Sequence, residues 1–230
     1  MVPIAINGGD MRVILSPALL QAMPEMEVSG LLALDLDAAA LPARVPSLPE
    51  ATRDLEALLQ DWKRLYKALP GDKKARCSLE YLVKAAQKDK LRSILPLVDL
   101  YNQASLISLA PFGGEDVDRL GGELRLDLAR GDEVFVPLGR VEAEHPLPGE
   151  AAWLNGGREV VCRCLNWLES DRFKLTADSR HAVFVSERPD AGFPSGEAGM
   201  DWLERKLAPH AGRLVRFRLS AAQPVFDATA

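Results

Sequence analysis

Apolar residues recur at helical spacing through the first half of the chain. In SLPEATRDLEALLQDWKRLYKALPG (47–71), Leu55, Leu58, Leu59, Trp62, Leu65 and Tyr66 share a face and Pro70–Gly71 ends the run, which predicts an amphipathic helix. A second helix is expected in SLEYLVKAAQKDK, with Leu79, Leu82, Val83 and Ala86 on its apolar side and Ser78 placed to cap it. Pro96 suits the first turn of a third. There LVDLYNQASL (97–106) sets Leu97, Leu100, Tyr101, Ala104 and Ile107 beside a polar edge of Asp99, Asn102 and Ser105, at i, i+3 and i+6. A polar edge of this kind is the ordinary seam of a half-buried helix, and it is also how a helix presents polar groups to a pocket.

Beyond residue 109 the period shortens to two. GELRLDLARGDEVFVPLG alternates Leu124, Leu126 and Leu128 with Arg125 and Asp127 and then turns at Gly131–Asp132. AAWLNGGREVVCRC carries Asn155–Gly156 between two strand-like runs, a hairpin signal. HAVFVSE reads as a strand and GMDWLERKLAPH as a short helix, and RLVRFRLS is a strand with Val215, Phe217 and Leu219 on one face. The first 45 residues read as strands, GLLALDLD (30–37) among them, in loops rich in Gly and Pro. Helices come first and strands dominate later, without regular βαβ alternation. The expected fold class is therefore α+β, a single domain with a mixed or antiparallel sheet core flanked by helices.

Composition sharpens this modestly. At 230 residues, 47% hydrophobic and 27% charged, the chain has the make-up of a soluble globular protein. No apolar run reaches the roughly 18 residues of a membrane span, and MVPIAINGGDM lacks the basic start and apolar run of a secretory signal. Three cysteines, Cys77, Cys162 and Cys164, are too few for a disulfide framework, so the cytoplasm is the expected location. Cys162 and Cys164 alternate on an expected strand, so both thiols should face one way, and buried core thiols explain the pair better than zinc. No metal and no cofactor is expected.

Charge is more informative. The net value is −5, yet residues 62–93 hold ten Lys or Arg against Asp72, Glu80 and Asp89, so that segment is +7 and the remainder −12. Such a run reads either as a solvated helix face or as a phosphate-binding surface on an acidic body. Within it, Lys84, Lys88, Lys90 and Arg92 are the candidate RNA contacts. Walker, GxGxxG, HExxH, GxSxG and CxxC signatures are absent, which removes the common ATP-dependent, dinucleotide, zinc-protease and serine-hydrolase chemistries. LAPFGGEDVDRLGG (109–122) has two Gly pairs bracketing an acidic turn, suited to close approach of a ligand or simply to sharp turns.

In order, Val98-Asp99-Leu100-Tyr101-Asn102, Pro111, Asp116-Val117-Asp118-Arg119-Leu120, Gly121-Gly122 and Gly131-Asp132-Glu133 resemble the tRNA-binding B3/B4 domain of bacterial phenylalanyl-tRNA synthetase beta chains. The resemblance covers roughly 75–190, continuing more weakly through GEAAWLNGGREVVCRCLNWLESDRFKLTADSRHAVFVSE, and the whole chain is most similar to free-standing relatives of that domain. It implies a B3/B4-type core at 75–190, an N-terminal strand and helical extension at 1–74 packed on it, and a C-terminal helix and strand at 191–230 completing the same domain.

In the synthetase this domain is an editing site that hydrolyses the ester joining a wrongly attached tyrosine to the tRNA 3′ end. A free-standing copy is thus expected to deacylate mischarged aminoacyl-tRNA in trans, with the 3′ end of aminoacyl-tRNA as partner. The alternatives are a noncatalytic tRNA- or RNA-binding module and a small-molecule-binding protein that reuses the fold. By the resemblance, Asn102, Gly113, Gly114 and Glu187 are the candidate catalytic positions and Asp99, Asn166 and Arg163 the candidate substrate pocket. Gly113 stands where the synthetase loop has a His that lines the amino-acid pocket, which leaves the identity of the amino acid open. Spread over 86 positions, Asn102, Gly113, Gly114, Asn166 and Glu187 should converge on one cleft.

Overall fold

The computed structural model describes residues 11–50 and 54–228. Residues 1–10 of the expected strand-and-loop opening and 51–53 of the first expected helix lie outside the described residues. The described residues open with β1 (Arg12–Leu15), then α1 (Pro17–Ala22), where the sequence pattern predicts strand and loop. Its start has a local cause: Ser16 accepts a 3.0 Å hydrogen bond from the Leu19 amide, and Pro17 occupies the first turn. β2 (Glu27–Leu34) follows, and then three longer helices, α2 (Leu55–Ala68), α3 (Ser78–Gln87) and α4 (Pro96–Ser108). α2 starts at Leu55 because Asp54 caps it, accepting from the Glu56 and Ala57 amides. α3 has no side-chain cap: Ser78 is its first helical residue, with Cys77 at the cap position.

The second half runs β3 (Gly113–Asp116), α5 (Val117–Leu120), β4 (Glu123–Leu128), β5 (Ala151–Asn155), β6 (Val160–Arg163), β7 (Leu168–Glu169), β8 (Ala182–Arg188), α6 (Glu197–Leu207), β9 (Arg213–Leu219) and β10 (Val225–Asp227). Two sheets result. One is mixed, in the order β10-β1-β4-β5-β6-β7, with β1 and β4 parallel; the other is antiparallel, β3-β8-β2-β9. The expected α+β class with a mixed and antiparallel sheet core is the architecture observed. The hairpin at Asn155 joins β5 to β6, with the Asn155 side chain accepting from the Glu159 amide and Arg158 in the left-handed region.

The two sheets pack face to face. Val13, Leu124, Leu126 and Val161 of one interlock with Val28, Leu32, Val183, Phe217 and Leu219 of the other. On its far side the antiparallel sheet is covered by α4 and α6, where Leu31, Ala33 and Phe184 meet Leu97, Ala104, Met200 and Leu203. β2 is therefore buried on both faces, which is why GLLAL reads as a nearly unbroken apolar run. α2 and α3 form a third layer through Leu58, Trp62, Leu79 and Val83, closing over Leu106 of α4. Among the described residues no helix is long and apolar enough to cross a membrane.

Candidate functional site

A 380 Å³ cleft opens where the edges of the two sheets meet beneath α3 and α4. Its wall is built from Ser78 and Tyr81 of α3, Tyr101 and Asn102 of α4, Gly113 and Glu115 of β3, Trp153 of β5, Cys162 of β6, Glu169 of β7 and Val185 and Glu187 of β8, with Asn166 and Trp167 between β6 and β7. Strand alternation explains several of these choices. On β3, Gly113 and Glu115 line the cleft, whereas Gly114 does not and packs where a side chain would strike Phe184 and Tyr101. The expected Gly113–Gly114 loop is thus strand, paired through Gly113↔Val185 and Gly114↔Phe184.

The structure brings Asn102, Gly113, Asn166 and Glu187 together on this cleft. Glu187 is 2% exposed and is held from two sides: the Trp153 indole N–H donates to its Oε1 at 2.6 Å and the Asn166 amide to its Oε2 at 3.3 Å. Burial pushes its pKa up, and the two donors pull against that shift. Asn166 spends its other end on α2 and α3, its Oδ1 lying 3.0 Å from the Tyr66 hydroxyl and accepting from the Ser78 amide at 3.2 Å. The Asn102 amide, half-buried, makes no hydrogen bond to another described residue and is free to meet a ligand.

Two expected pocket residues lie elsewhere. Asp99 is fully buried and accepts from the Ser93 hydroxyl and, at 2.8 Å, from the Ile94 amide, so it braces the segment leading into α4 and does not line the cleft. Arg163 donates through Nε and Nη2 to Glu150 at 2.9 and 2.8 Å, and its guanidinium lies over the Phe135 and Trp167 rings. It supports Trp167 from behind and does not itself line the cleft. Cys162 lines the cleft but Cys164 does not: Cys164 and Leu165 are left-handed, the alternation ends there, and the Cys164 thiol lies against Gly71.

Sequence reading missed Glu115 and Glu169, which face each other across the join between the sheets. Glu115 is 3% exposed; burial first, and then Glu169 and Glu187, push its pKa well up. Glu169 is raised to about 7, mainly by burial, with Glu187 adding to the shift and a hydrogen bond to Glu115 opposing it. The only signal had been the acidic GGED, which read as a turn.

Beside the cleft lies a larger depression of 590 Å³ between the end of α2 and the start of α3, lined by Lys63, Lys67, Lys73 and Arg76 with Tyr66, Asp72 and Glu80. It concentrates part of the +7 segment. The expected RNA contacts sit apart from it: Lys84 is exposed and ion-paired with Glu80, Lys88 caps the end of α3, and Lys90 and Arg92 are exposed in the segment that follows. None of the four lines either depression.

The sequence model of the B3/4 domain matches residues 61–191. A search of curated proteins finds no match. Among solved structures, the chain is similar to an N-terminal fragment of the phenylalanyl-tRNA synthetase beta subunit from Pyrococcus horikoshii, at 12% identity and a TM-score of 0.49. The match covers 90% of this chain and 53% of that one, so the chain spans about half the length of that fragment.

Proposed function

Because this chain belongs to the B3/4 domain family, we propose that its cleft hydrolyses the ester of mischarged aminoacyl-tRNA, acting in trans. The observation that carries this reading is the shared wall of Asn102, Gly113, Asn166 and Glu187, which come from four separate parts of the chain. An aminoacyl ester is already activated, so the protein's task is to hold the substrate, place a water and stabilise the charge that develops on the carbonyl oxygen. Asn102, with its amide free, is the donor suited to that oxygen. Glu187, fixed by Trp153 and Asn166, accepts from donors on the aminoacyl group and sets its orientation. Gly113 contributes no side chain, which leaves room on that wall for the aminoacyl side chain. Asn166 and Trp167 position the substrate, and Asp99 and Arg163 act indirectly, through Ile94 and Trp167. The groove of Lys63, Lys67, Lys73 and Arg76 adjoins the cleft at Cys77–Ser78 and suits the phosphates next to the tRNA 3′ end.

The test is to follow ester loss from a panel of misacylated tRNAs carrying radiolabelled amino acids. At least one is expected to be deacylated well above its spontaneous rate, and Glu187→Gln, with an unchanged unfolding midpoint, to lower that rate about 10²-fold. tRNA binding without any accelerated ester loss would replace the hydrolase with an RNA-binding module.

A further inference from the structure

We propose that the Glu115–Glu169 corner of the cleft is a receptor for a primary ammonium group, so that the ligand must carry a free α-amine and N-acylated aminoacyl esters are refused. The proposal rests on reading this cleft as the aminoacyl site. Among the described residues three glutamates, Glu115, Glu169 and Glu187, line the cleft, and no Lys, Arg or His does. Buried carboxylates are ordinarily matched with cations or with several donors. Glu187 has its donors in Trp153 and Asn166. Glu115 has no such donor among the described residues: its carboxyl shares a hydrogen bond with Glu169, its buried Oε2 is otherwise without a partner, and so is the buried hydroxyl of Ser78 on the same wall. The carboxylates are not grouped as a metal site would require among the described residues, which favours a polyatomic cation over a bare ion. An ammonium offers three N–H donors, and every aminoacyl ester has one.

The surroundings fix how binding depends on pH. Facing Glu115 are Glu169 from β7, Glu187 from β8, Asp116 from β3, Tyr101 from α4 and Cys162 from β6. Tyr101 and Cys162 are raised by burial and stay neutral, and Asp116 is engaged by the Ser179 hydroxyl and the Asp118 amide. Lys174, which bridges to Glu115 through the backbone, holds its ammonium on Asp171. Burial beside these carboxylates holds Glu115 well above its ordinary value, and Glu169 keeps its proton up to about pH 7. An incoming ammonium takes that proton's place and releases it, so affinity rises with pH from 6 to about 7.5, until the α-amine itself deprotonates near its ordinary value of about 7.7–8.

Calorimetric titration with 3′-aminoacylamino-3′-deoxyadenosines, stable amide analogues carrying alanine, leucine, phenylalanine or tyrosine, tests this beside their N-acetyl derivatives. N-acetylation is expected to weaken the tightest analogue at least about tenfold, the scale of one charge-assisted contact, with proton release seen as a buffer-dependent heat. Glu115→Gln, folded by its unfolding curve, should erase both the discrimination and the proton release. Equal binding of the N-acetyl form, discrimination that survives in Glu115→Gln, or no binding by any free-amine analogue overturns the proposal. Hydrolysis of N-acetylaminoacyl-tRNA as fast as the free form would also overturn it while leaving the hydrolase standing. Amine-dependent binding without any hydrolysis would do the reverse.

Discussion

Glu133 illustrates how a single residue of the family-like Gly131-Asp132-Glu133 turn is used. It is 5% exposed and accepts from the Arg130 and Gly131 amides while pairing with the Arg158 guanidinium. Burial alone would raise its pKa, but these donors outweigh burial and hold it at about 2. Since the folded value lies below the unfolded one, its contribution is present above about pH 4.5 and is lost as pH falls toward 2. Glu133→Gln is therefore expected to cost about 1–3 kcal/mol at neutral pH, with the gap to wild type closing between pH 4.5 and 2 in urea titrations. A gap that stays constant with pH would contradict this account. At this scale the sequence was only partly readable. The polar edge of Asp99, Asn102 and Ser105 is visible from spacing, but only the fold separates Asn102, open to the cleft, from Asp99, which is spent on Ile94, and Ser105, which bonds back to the Tyr101 carbonyl.

At the scale of elements, the contact between α4 and α6 sets where Asn102 and Tyr101 lie. The two helices meet at Gly199, whose amide donates to the Ser108 hydroxyl at 2.6 Å; a Cβ there would come within 2.4 Å of the Ala104 carbonyl oxygen. Backbone cannot yield as a side-chain tip can, so Gly199→Ala should destabilise by about 1–3 kcal/mol through overpacking. It should also weaken ligand binding in the cleft, because α4 must move. Equilibrium unfolding measures the first effect and analogue titration the second; an unchanged midpoint would refute the close approach. Helices α2, α3, α4 and α6 and strands β4, β8 and β9 were legible because their patterns are local. α1 was hidden in a stretch too short to show a period. β3 was hidden because a four-residue edge strand containing two glycines looks like a turn until β8 is placed beside it. Glu115 was lost with it, and Glu169 sits in a strand of only two residues.

Over the whole molecule, the uneven charge resolves into two neighbouring depressions of opposite character, a basic groove and an acidic cleft. If the groove takes RNA phosphates, Lys63→Glu with Lys67→Glu should weaken tRNA binding and flatten its salt dependence, by about 0.9 in log–log slope per lost phosphate contact on a duplex. Lys84→Glu with Lys88→Glu should do less, since neither lines the groove and Lys84 is held closely on Glu80, which Lys63 meets only at 3.9 Å. Filter binding at low and moderate salt compares the two pairs, and an equal or larger loss in the second would move the RNA track to the exposed face of α3. The global topology lay beyond sequence reading for a related reason. The strand that joins the layers, β2, is paired to residues as distant as Ala182 and Leu219, and no local pattern announces such partners.

Asn166 stands at the seam of these depressions, and its amide is used at both ends, accepting from the Tyr66 and Ser78 side and donating to Glu187. It cannot turn over without setting donor against donor on one side and acceptor against acceptor on the other. Tyr66 belongs to the basic groove, Glu187 to the acidic cleft and Ser78 to the wall between them. A ligand that shifts either end acts on the amide that holds the other. If the groove takes a phosphate chain and the cleft an aminoacyl group, the two occupancies are tied by linkage: whatever factor the first imposes on affinity for the second, the second imposes in return on affinity for the first.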